Sequence, residues 1–263
     1  MQFLDIFKND RPQLKQYWVL MKVAPLERLL QMQKGLLYMN SLDYFSSLKG
    51  EDGLKVRSDE IESIYAQFHA GTLKNGHRIE MSLNIPDFGD FDIPRGTKIS
   101  VGVPSSKNVF LYCMTCIADS NIVDDTYYMD RRMTKFGSHT LVINNSAEFF
   151  ARYTKAINNN PDIYLHKHMD GGCGLIDYIR MSKHSGKIGL FIKDKAYSWQ
   201  KEYRFVLGAK DEALNQNGAL ELNIGDISDI TKIVKTKDFI NSPGKVTKRP
   251  VYRETNGTYK FVE

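Results

Sequence analysis

Patterns of apolar and polar residues divide the chain into short elements, beginning with a strand–helix–strand unit. Residues 17–23 and 35–41 have the apolar character of strands, and residues 25–34 between them carry leucines at helical spacing. A proline opens the helical segment and a glycine follows it, which are the residues favoured at those two ends. Residues 42–48 predict one or two further turns of helix.

Turn-forming residues predict hairpins and one inserted loop in the rest of the chain. Asn75-Gly76 and Asn256-Gly257 are dipeptides favoured in two-residue hairpin turns, and each lies between strand-like residues. Residues 98–103 and 109–117 predict another hairpin. Proline, glycine and aspartate dominate residues 84–97, which indicates an inserted loop.

A capped helix is predicted in the middle of the chain. Asn145 precedes Glu148 by three residues, the spacing of a capping box, in which side chains satisfy backbone N–H groups of the first helical turn. An apolar stripe at helical spacing follows, formed by Phe149, Phe150, Tyr153 and Ile157. The glycine-rich residues 171–174 lack the spacing of a phosphate-binding loop and are interpreted as a turn.

These elements predict an α+β fold with mixed, mostly antiparallel sheets and a few helices packed on them. The 263 residues are enough to bury a full core, and we expect residues 1–263 to form a single domain. No apolar run approaches the roughly 18 to 20 residues that span a bilayer, and no secretory signal is visible, so no membrane contact is expected.

The cysteines indicate a reducing, cytoplasmic environment, since three are an odd number and too few for a disulfide framework. Cys113 and Cys116 have the spacing of a zinc site. They lie in an apolar strand without a turn between them, and the chain has no second cysteine pair. Buried reduced thiols are therefore favoured over zinc.

The net charge of the chain is mildly positive, at +5, and the charged residues are unevenly distributed along the sequence. Acidic residues gather at residues 51–62, and the late basic residues are Lys232, Lys235, Lys237, Lys245, Lys248, Arg249 and Arg253. A basic surface can bind a polyanion by counterion release, although the same number of lysines is common on solvated surfaces. Charge alone does not predict nucleic-acid binding.

Residues 197–208 form the most prominent candidate site and are predicted as one strand. Alternation places Glu202 and Arg204 on the same face, where a strand would hold them rigidly side by side. The guanidinium would keep the carboxylate ionised, which suits stabilisation of a positive charge better than general-acid catalysis. The alternative is an ordinary ion pair on a solvated sheet face.

Two further polar clusters lie near the start of the chain. The first, just past a strand end, consists of Asn40, Ser41, Asp43 and Tyr44, and side chains in such positions often surround binding sites. Tyr44 or Trp18 would stack on a flat base or nicotinamide ring, the alternative being core packing. The second cluster includes Asp59, Glu60 and Glu62, which with Asp43 offer the oxygen ligands that Mg²⁺ prefers.

Several of these segments together resemble a group of uncharacterised bacterial and phage proteins. The resemblance rests on residues 35–45, on Arg57-Ser-Asp-Glu-Ile-Glu62 and on the late Trp199-Gln-Lys-Glu-Tyr-Arg204 segment. The order of an early basic residue, a hydroxyl or aromatic residue and a late glutamate is also similar to the ADP-ribosyltransferases. That second resemblance implies an NAD-using enzyme.

The transferase resemblance implies particular roles for residues of this chain. Glu202 and Tyr44 would be catalytic, with Glu202 stabilising the positive charge that develops on the ribose as nicotinamide leaves. Contacts to the NAD cofactor would come from Lys22, Ser41, Arg57 and Arg204. Arginine and lysine suit its phosphates, arginine through its planar fork and lysine as a point charge.

Three functions therefore remain open from the sequence. The first is an ADP-ribosyltransferase-like enzyme, a toxin or phage-conflict factor, that binds a nucleotide-like small molecule and modifies a protein or nucleic-acid acceptor. The second is a non-catalytic module that binds protein or nucleic acid through the late basic residues. The third is a Mg²⁺-dependent nuclease or phosphotransferase that uses the acidic cluster.

Overall fold

The computed structural model describes residues 17–47, 63–71, 73–74, 77–78, 80–103, 106–118, 121–165, 172–245, 251–253 and 259–261. The strands in chain order are β1 Tyr17–Ala24, β2 Leu36–Ser41, β3 Ile64–His69, β4 Leu73–Lys74, β5 His77–Arg78, β6 Ser82–Ile85, β7 Gly89–Asp92, β8 Lys98–Gly102, β9 Val109–Ala118, β10 Ile122–Val123, β11 Thr126–Tyr127, β12 His139–Ile143, β13 Ile163–Tyr164, β14 Gly172–Leu175, β15 Asp177–Ile179, β16 Gly186–Lys187, β17 Ile192–Asp194, β18 Glu202–Ala209, β19 Leu220–Asn223, β20 Thr231–Lys235, β21 Gly244–Lys245, β22 Val251–Arg253 and β23 Tyr259–Phe261. The α-helices are α1 Leu26–Gln33, α2 Leu42–Ser47, α3 Ser146–Asn158 and α4 Thr236–Asn241.

The main sheet confirms the predicted α+β fold. Its nine strands within the described residues follow the order β13-β18-β9-β1-β12-β20, with β14 also beside β18, and β2 beside β9 and β19. Its pairings are antiparallel. Smaller sheets include the parallel pair β15 and β17, so the architecture is mixed and mostly antiparallel.

The core lies on both faces of this sheet. Helix α3 covers one face with the predicted stripe, and the rings of Phe149, Phe150 and Tyr153 pack on Phe205 of β18. The Asn145 side chain caps this helix by accepting from the Glu148 backbone N–H at 3.0 Å. Smaller apolar clusters cover the opposite face, so β9 and β18 have buried residues on both sides.

A split beside β9 positions the candidate site. Strand β18 occupies one edge of β9, from Val109 to Thr115. On the other edge, β1 pairs with residues 115–118 and β2 pairs with residues 110–111. Residues 112–114 therefore face a gap between β1 and β2, and α1 joins those two strands across it.

The corner between α1 and β2 requires a glycine. Gly35 has φ +100°, and a Cβ there would lie 2.3 Å from the Gly225 carbonyl oxygen. The Gly35 carbonyl accepts a hydrogen bond from the Ile224 N–H at 2.9 Å. This close backbone contact joins the corner to the segment before β20.

The predicted strand over residues 197–208 is wrong in its first part. Residues Lys195–Gln200 form a 3-10 helix, capped by Asp194, whose carboxylate accepts from the Ala196 N–H. Lys201 then adopts the left-handed conformation, with φ 48° and ψ 47°, and turns the chain into β18. Trp199 consequently lies off the strand, with its ring 5.8 Å from that of Phe136.

Three other predictions differ from the structure, and in the first two strand pairing between segments distant in sequence overrides the local pattern. Strand β8 pairs with β3 and not with β9, so the hairpin predicted at 98–103 and 109–117 is absent from the described structure. Residues 172–175 form β14 against β18 and not a turn. Residues 84–97, predicted as a loop, include most of the exposed hairpin formed by β6 and β7.

The two Asn-Gly hairpin predictions agree with the strands on either side of them. Strand β4 pairs with β5 in the antiparallel register of a two-residue turn, whereas β22 pairs with β23 antiparallel with Arg253 opposite Tyr259, one residue away from that register. The Asn-Gly residues themselves lie outside the described residues. Within the described part of the chain, no helix is long and apolar enough to cross a membrane.

Candidate functional site

A cavity of about 560 Å³ opens at the split between β1 and β2. Its lining includes Lys22 from β1, Tyr44 from α2 and Glu202 from β18. These are three of the residues singled out in the sequence, and they come from distant parts of the chain. Its volume is within the range of roughly 300–1,000 Å³ that is typical of small-molecule sites.

Lys22 closes the sheet at the base of the split. Its Nζ donates to the Cys113 carbonyl oxygen at 2.6 Å and lies 4.2 Å from the centre of the Tyr112 ring. The ammonium takes the position that a backbone donor of a neighbouring strand would have. Lys22 is therefore both a structural part of the split and a cation at the cavity wall.

Glu202 is buried between two cations and not on a solvated face. Arg204 Nε donates to Glu202 Oε1 at 2.7 Å, and Lys193 Nζ donates to Glu202 Oε2 at 3.1 Å. The three residues are 4% (Glu202), 1% (Arg204) and 4% (Lys193) exposed. Glu202 thus lies beside Arg204 on one face of β18, as the alternation predicted. The alternative, an ion pair on a solvated sheet face, is wrong because both side chains are buried.

These partners determine the charge state of Glu202. Burial raises the pKa of the carboxyl group, but the charges of Arg204 and Lys193, with hydrogen bonds from Arg204 and Cys113, outweigh burial and hold the pKa well below its usual range. Glu202 is ionised at neutral pH and carries no proton to donate. General-acid catalysis by this residue is excluded at that pH.

Backbone and side-chain contacts fix the start of β18 around Glu202. The Glu202 N–H donates to Tyr178 Oη at 2.9 Å. Lys193 Nζ also donates to Gln200 Oε1 at 3.1 Å, and the Gln200 carbonyl accepts from Thr115 Oγ1 at 3.2 Å. Burial, followed by the charge of Glu202, raises the pKa of Tyr178, so the tyrosine remains neutral.

The early polar cluster contributes unequally to the cavity. Tyr44 on α2 and Asn40 on β2 line the cavity, and Tyr38 on β2 also lines it. Tyr38 and Tyr44 are 39% and 44% exposed, which leaves ring surface available to a ligand. Ser41 is not among the lining residues, and its Oγ accepts from the Tyr44 N–H at 3.2 Å at the start of α2.

Arg204 does not reach the cavity either. Besides Glu202, its guanidinium donates to the Leu190 carbonyl oxygen at 2.9 Å, and it does not line the cavity. Its place is thus behind Glu202, as a positioning partner. Four residues with predicted roles, Arg57, Asp59, Glu60 and Glu62, lie outside the described residues, as does the side chain of Trp18.

Metal-binding predictions find no support in the described residues. No group of three His, Cys, Asp or Glu side chains there is placed to hold a metal ion. Asp43 accepts a hydrogen bond from Ser106 Oγ. Cys116 is buried and Cys113 half-buried, and burial raises the pKa of the Cys116 thiol.

Sequence reasoning missed Lys193 and Arg28, both of which line the cavity. Lys193 lies on the short strand β17, where a single lysine between apolar and acidic neighbours gives no local sign of burial. Arg28 lies on the polar side of the predicted helix α1, in the position of an ordinary surface charge. The fold places Lys193 beside Glu202 and Arg28 at the cavity, and neither position is visible from the neighbouring residues in sequence.

No protein-family model, curated protein or solved structure matches this chain, and the site is therefore interpreted from its own geometry.

Proposed function

We propose that this chain is an NAD-using, ADP-ribosyltransferase-like enzyme that binds the dinucleotide in the split cavity. One observation carries the proposal: Lys22, Tyr44 and Glu202 line the same cavity. The transferase resemblance requires this convergence of an early basic residue, an aromatic residue and a late glutamate. The relation to bacterial and phage proteins, and a role in toxicity or phage conflict, belong to the same proposal.

The composition of the cavity wall supports a nucleotide-like ligand. Among the described residues that line it, the cationic side chains are Lys22, Arg28 and Lys193, and the carboxylate is that of Glu202. This excess of positive charge favours an anion such as a phosphate ester. The partly exposed Tyr38 and Tyr44 rings supply flat surfaces for a base or a nicotinamide ring.

Glu202 would act through its charge in this proposal. As the bond from ribose to nicotinamide breaks, positive charge develops on the ribose, and a fixed carboxylate facing that charge stabilises it. Arg204 and Lys193 hold the carboxylate ionised and in one orientation. The carboxylate then needs little reorientation as positive charge develops on the ribose.

The same contacts favour a second candidate, a binding module for nucleotide-like anions that performs no chemistry. Both Glu202 oxygens accept hydrogen bonds from cations, which compensates the carboxylate charge and weakens its effect on a bound ribose. The late basic residues provide less support for a polyanion module, because Lys232 and Lys235 lie on the edge strand β20. Lysines there are a common protection against edge-to-edge pairing.

Calorimetry with NAD and chromatography of released nicotinamide test these candidates together. Tyr44→Ala removes one ring from the cavity, and Tyr128→Ala removes a 64% exposed ring that does not line it, as the matched control. A stacking contact contributes about 1 kcal/mol, so Tyr44→Ala should weaken NAD binding by about fivefold. Tyr128→Ala should leave NAD binding unchanged.

The outcomes separate the two candidates. NAD binding with nicotinamide release that is slowed in Tyr44→Ala supports the enzyme. NAD binding without release, alone or with candidate acceptors present, supports the binding module. Absence of NAD binding by the folded wild-type protein would refute the enzyme proposal.

A further inference from the structure

We propose that the hairpin formed by β6 and β7 is a self-association surface, through which two copies of this chain pack face to face. The hairpin lies within residues 82–92, and its strands are exposed along their whole length. None of its residues lines the cavity, so the inference is independent of the proposed function.

Alternation gives the hairpin one apolar face. Leu83 pairs directly with Phe91 across the two strands, and residues directly opposite each other point to the same side of a sheet. Ile85 lies two residues beyond Leu83 and therefore shares that side. Towards the base, the Ile93 N–H donates to the Met81 carbonyl oxygen at 2.8 Å, which continues the pairing and extends the face by two apolar residues. This is the pattern of a sheet with one face packed on other residues.

The opposite face of the hairpin is polar and acidic. Its side chains are those of Ser82, Asn84, Asp90 and Asp92. Asn84 Nδ2 donates to Asp90 Oδ1 at 2.7 Å, which joins the two strands on that side. A further acidic residue, Asp87, lies in the turn between the strands. The charged side chains of β7 thus point away from the apolar face.

The apolar face has no covering layer in the described part of the chain. Leu83 is 52% and Phe91 49% exposed, and Phe88 in the turn is 78% exposed. The apolar clusters formed by the described residues do not include these three side chains, and there β6 and β7 pair only with each other. A two-stranded hairpin alone in water is marginally stable, and contiguous exposed apolar residues commonly mark an interaction surface. A partner on this face is therefore expected.

Contacts at the base hold the hairpin to the rest of the fold. Ala70, next to the end of β3, accepts from the Gly96 N–H at 2.9 Å and donates its own N–H to the Thr97 carbonyl at 3.0 Å. Arg95 Nη2 donates to Glu80 Oε1 at 3.1 Å and so links the two ends of the hairpin. Every copy of the chain consequently presents the same face in the same orientation, as a symmetric dimer requires.

The distribution of charge favours a second copy as the partner. Between residues 80 and 95 the acidic side chains are Glu80, Asp87, Asp90 and Asp92, and the basic one is Arg95. This net negative charge disfavours contact with an anionic lipid surface. A basic partner would be attracted to the acidic face and would leave the apolar face uncovered. Two apolar faces can meet with both acidic faces directed outwards. Sheets packed in this way are about 10 Å apart, so the acidic faces lie further apart than the Debye length of about 8 Å at physiological salt.

The exposed area is that of a weak dimer. An aromatic side chain has about 150–250 Å² of surface, so the exposed parts of Phe88 and Phe91 in two copies amount to roughly 400–600 Å². Leu83 and Ile85 bring the contact towards about 1,000 Å², the lower limit for a specific interface. A twofold axis between the two faces closes the assembly as a dimer and leaves no free copy of the surface.

Sedimentation velocity of the full chain over a range of micromolar concentrations tests this surface. Leu83→Lys places a charge in the apolar face, and the matched control Ser82→Lys places the same charge on the opposite face of the same strand. We expect wild type and Ser82→Lys to dimerise alike. Leu83→Lys should raise the dimer dissociation constant at least about tenfold, because each copy loses a leucine contact and gains a buried charge.

Chemical cross-linking shows directly which face is used, even if a lysine alters the hairpin locally. A bismaleimide reagent of about 10 Å, the separation of facing sheets, should join Leu83→Cys to the same position in the second copy. Ser82→Cys should form no more cross-linked dimer than the wild-type chain with its own cysteines.

The contrary results are equally definite. A wild-type chain that stays monomeric, or dimers that are equally stable in Leu83→Lys and Ser82→Lys, would overturn the proposal. Equal cross-linking of Leu83→Cys and Ser82→Cys would overturn it too, because the dimer would then not use the apolar face. A monomeric chain that binds phosphatidylcholine vesicles, and loses that binding in Leu83→Lys, would overturn the second copy in favour of a lipid surface.

Discussion

Replacing Glu202 by glutamine should lower the free energy of unfolding more than replacing a charged residue on the surface does. The variant removes the carboxylate charge and leaves the ammonium of Lys193 and the guanidinium of Arg204 opposite a neutral amide. Both cations are at least nine-tenths buried, and so is Glu202. Breaking one side of a buried ion pair costs about 3–5 kcal/mol, because the remaining charges stay buried without compensation.

Urea denaturation at pH 7 measures this loss directly. In thermal unfolding it corresponds to a decrease of about 10 °C in Tm for a chain of this length. The matched control is Glu148→Gln on α3, whose carboxylate pairs with Arg152 at 2.7 Å and whose side chain is 43% exposed. Exposed pairs of this kind contribute about 0.5 kcal/mol, so the control should unfold almost as the wild type does.

A second substitution tests whether charge causes the effect. Adding Lys193→Met to Glu202→Gln removes one of the two uncompensated cations, so the double variant should be more stable than Glu202→Gln alone. If Glu202→Gln loses no more stability than Glu148→Gln, the reasoning is refuted. It is also refuted if Lys193→Met brings no recovery. Activity of Glu202→Gln is interpretable only at temperatures where the variant is folded.

The pH dependence of stability has a definite sign. Because the folded pKa of Glu202 lies below its unfolded value, the carboxylate stabilises the fold fully above about pH 4.3, the ordinary value for glutamate. This contribution declines as pH falls from there towards the folded pKa. Wild-type stability should therefore fall more steeply between pH 5 and pH 3 than that of Glu202→Gln, at urea concentrations where both unfold reversibly.

Three further predictions concern Cys113 in the cavity wall and two positions, Lys201 and Gly35, that adjoin lining residues in sequence. In the native protein Cys113 should react fastest with a thiol reagent, because it is half-buried at the cavity whereas Cys116 and Cys173 are buried. Burial also raises the pKa of Cys173 to about 12, which keeps this thiol protonated. Equal labelling of all three cysteines before unfolding would contradict the prediction. Lys201→Gly should leave the stability unchanged or raise it by up to about 1 kcal/mol, whereas Lys201→Val should lower it, because the left-handed backbone at this position favours glycine and penalises β-branched residues. Denaturant unfolding measures both variants, and a valine variant more stable than the glycine variant would contradict the left-handed conformation. Gly35→Ala should lower stability by more than about 1 kcal/mol, because its Cβ would meet the Gly225 carbonyl, and a variant as stable as wild type in the same assay would show that the contact is looser.

Local signals in the sequence were sufficient where an element depends on its own neighbours. Pro25 and Gly35 bracket α1, and Asn145 caps α3 with the predicted hydrogen bond. Alternation along β18 placed Glu202 and Arg204 on one face, within contact distance. Each of these features is decided by residues within a few positions of one another, which is the range over which propensity, capping and alternation act.

The tertiary structure decided what those elements enclose. The pairing of β9 with both β1 and β2 creates the split, and Lys22 contacts the Cys113 carbonyl 91 residues away in sequence. Burial of the Glu202 carboxylate, its second partner Lys193 and the position of Arg28 at the cavity wall follow from that arrangement. Strand order and burial depend on which distant segments exclude water from one another. A local pattern of polar and apolar residues can therefore predict a strand and its faces, but not what each face meets.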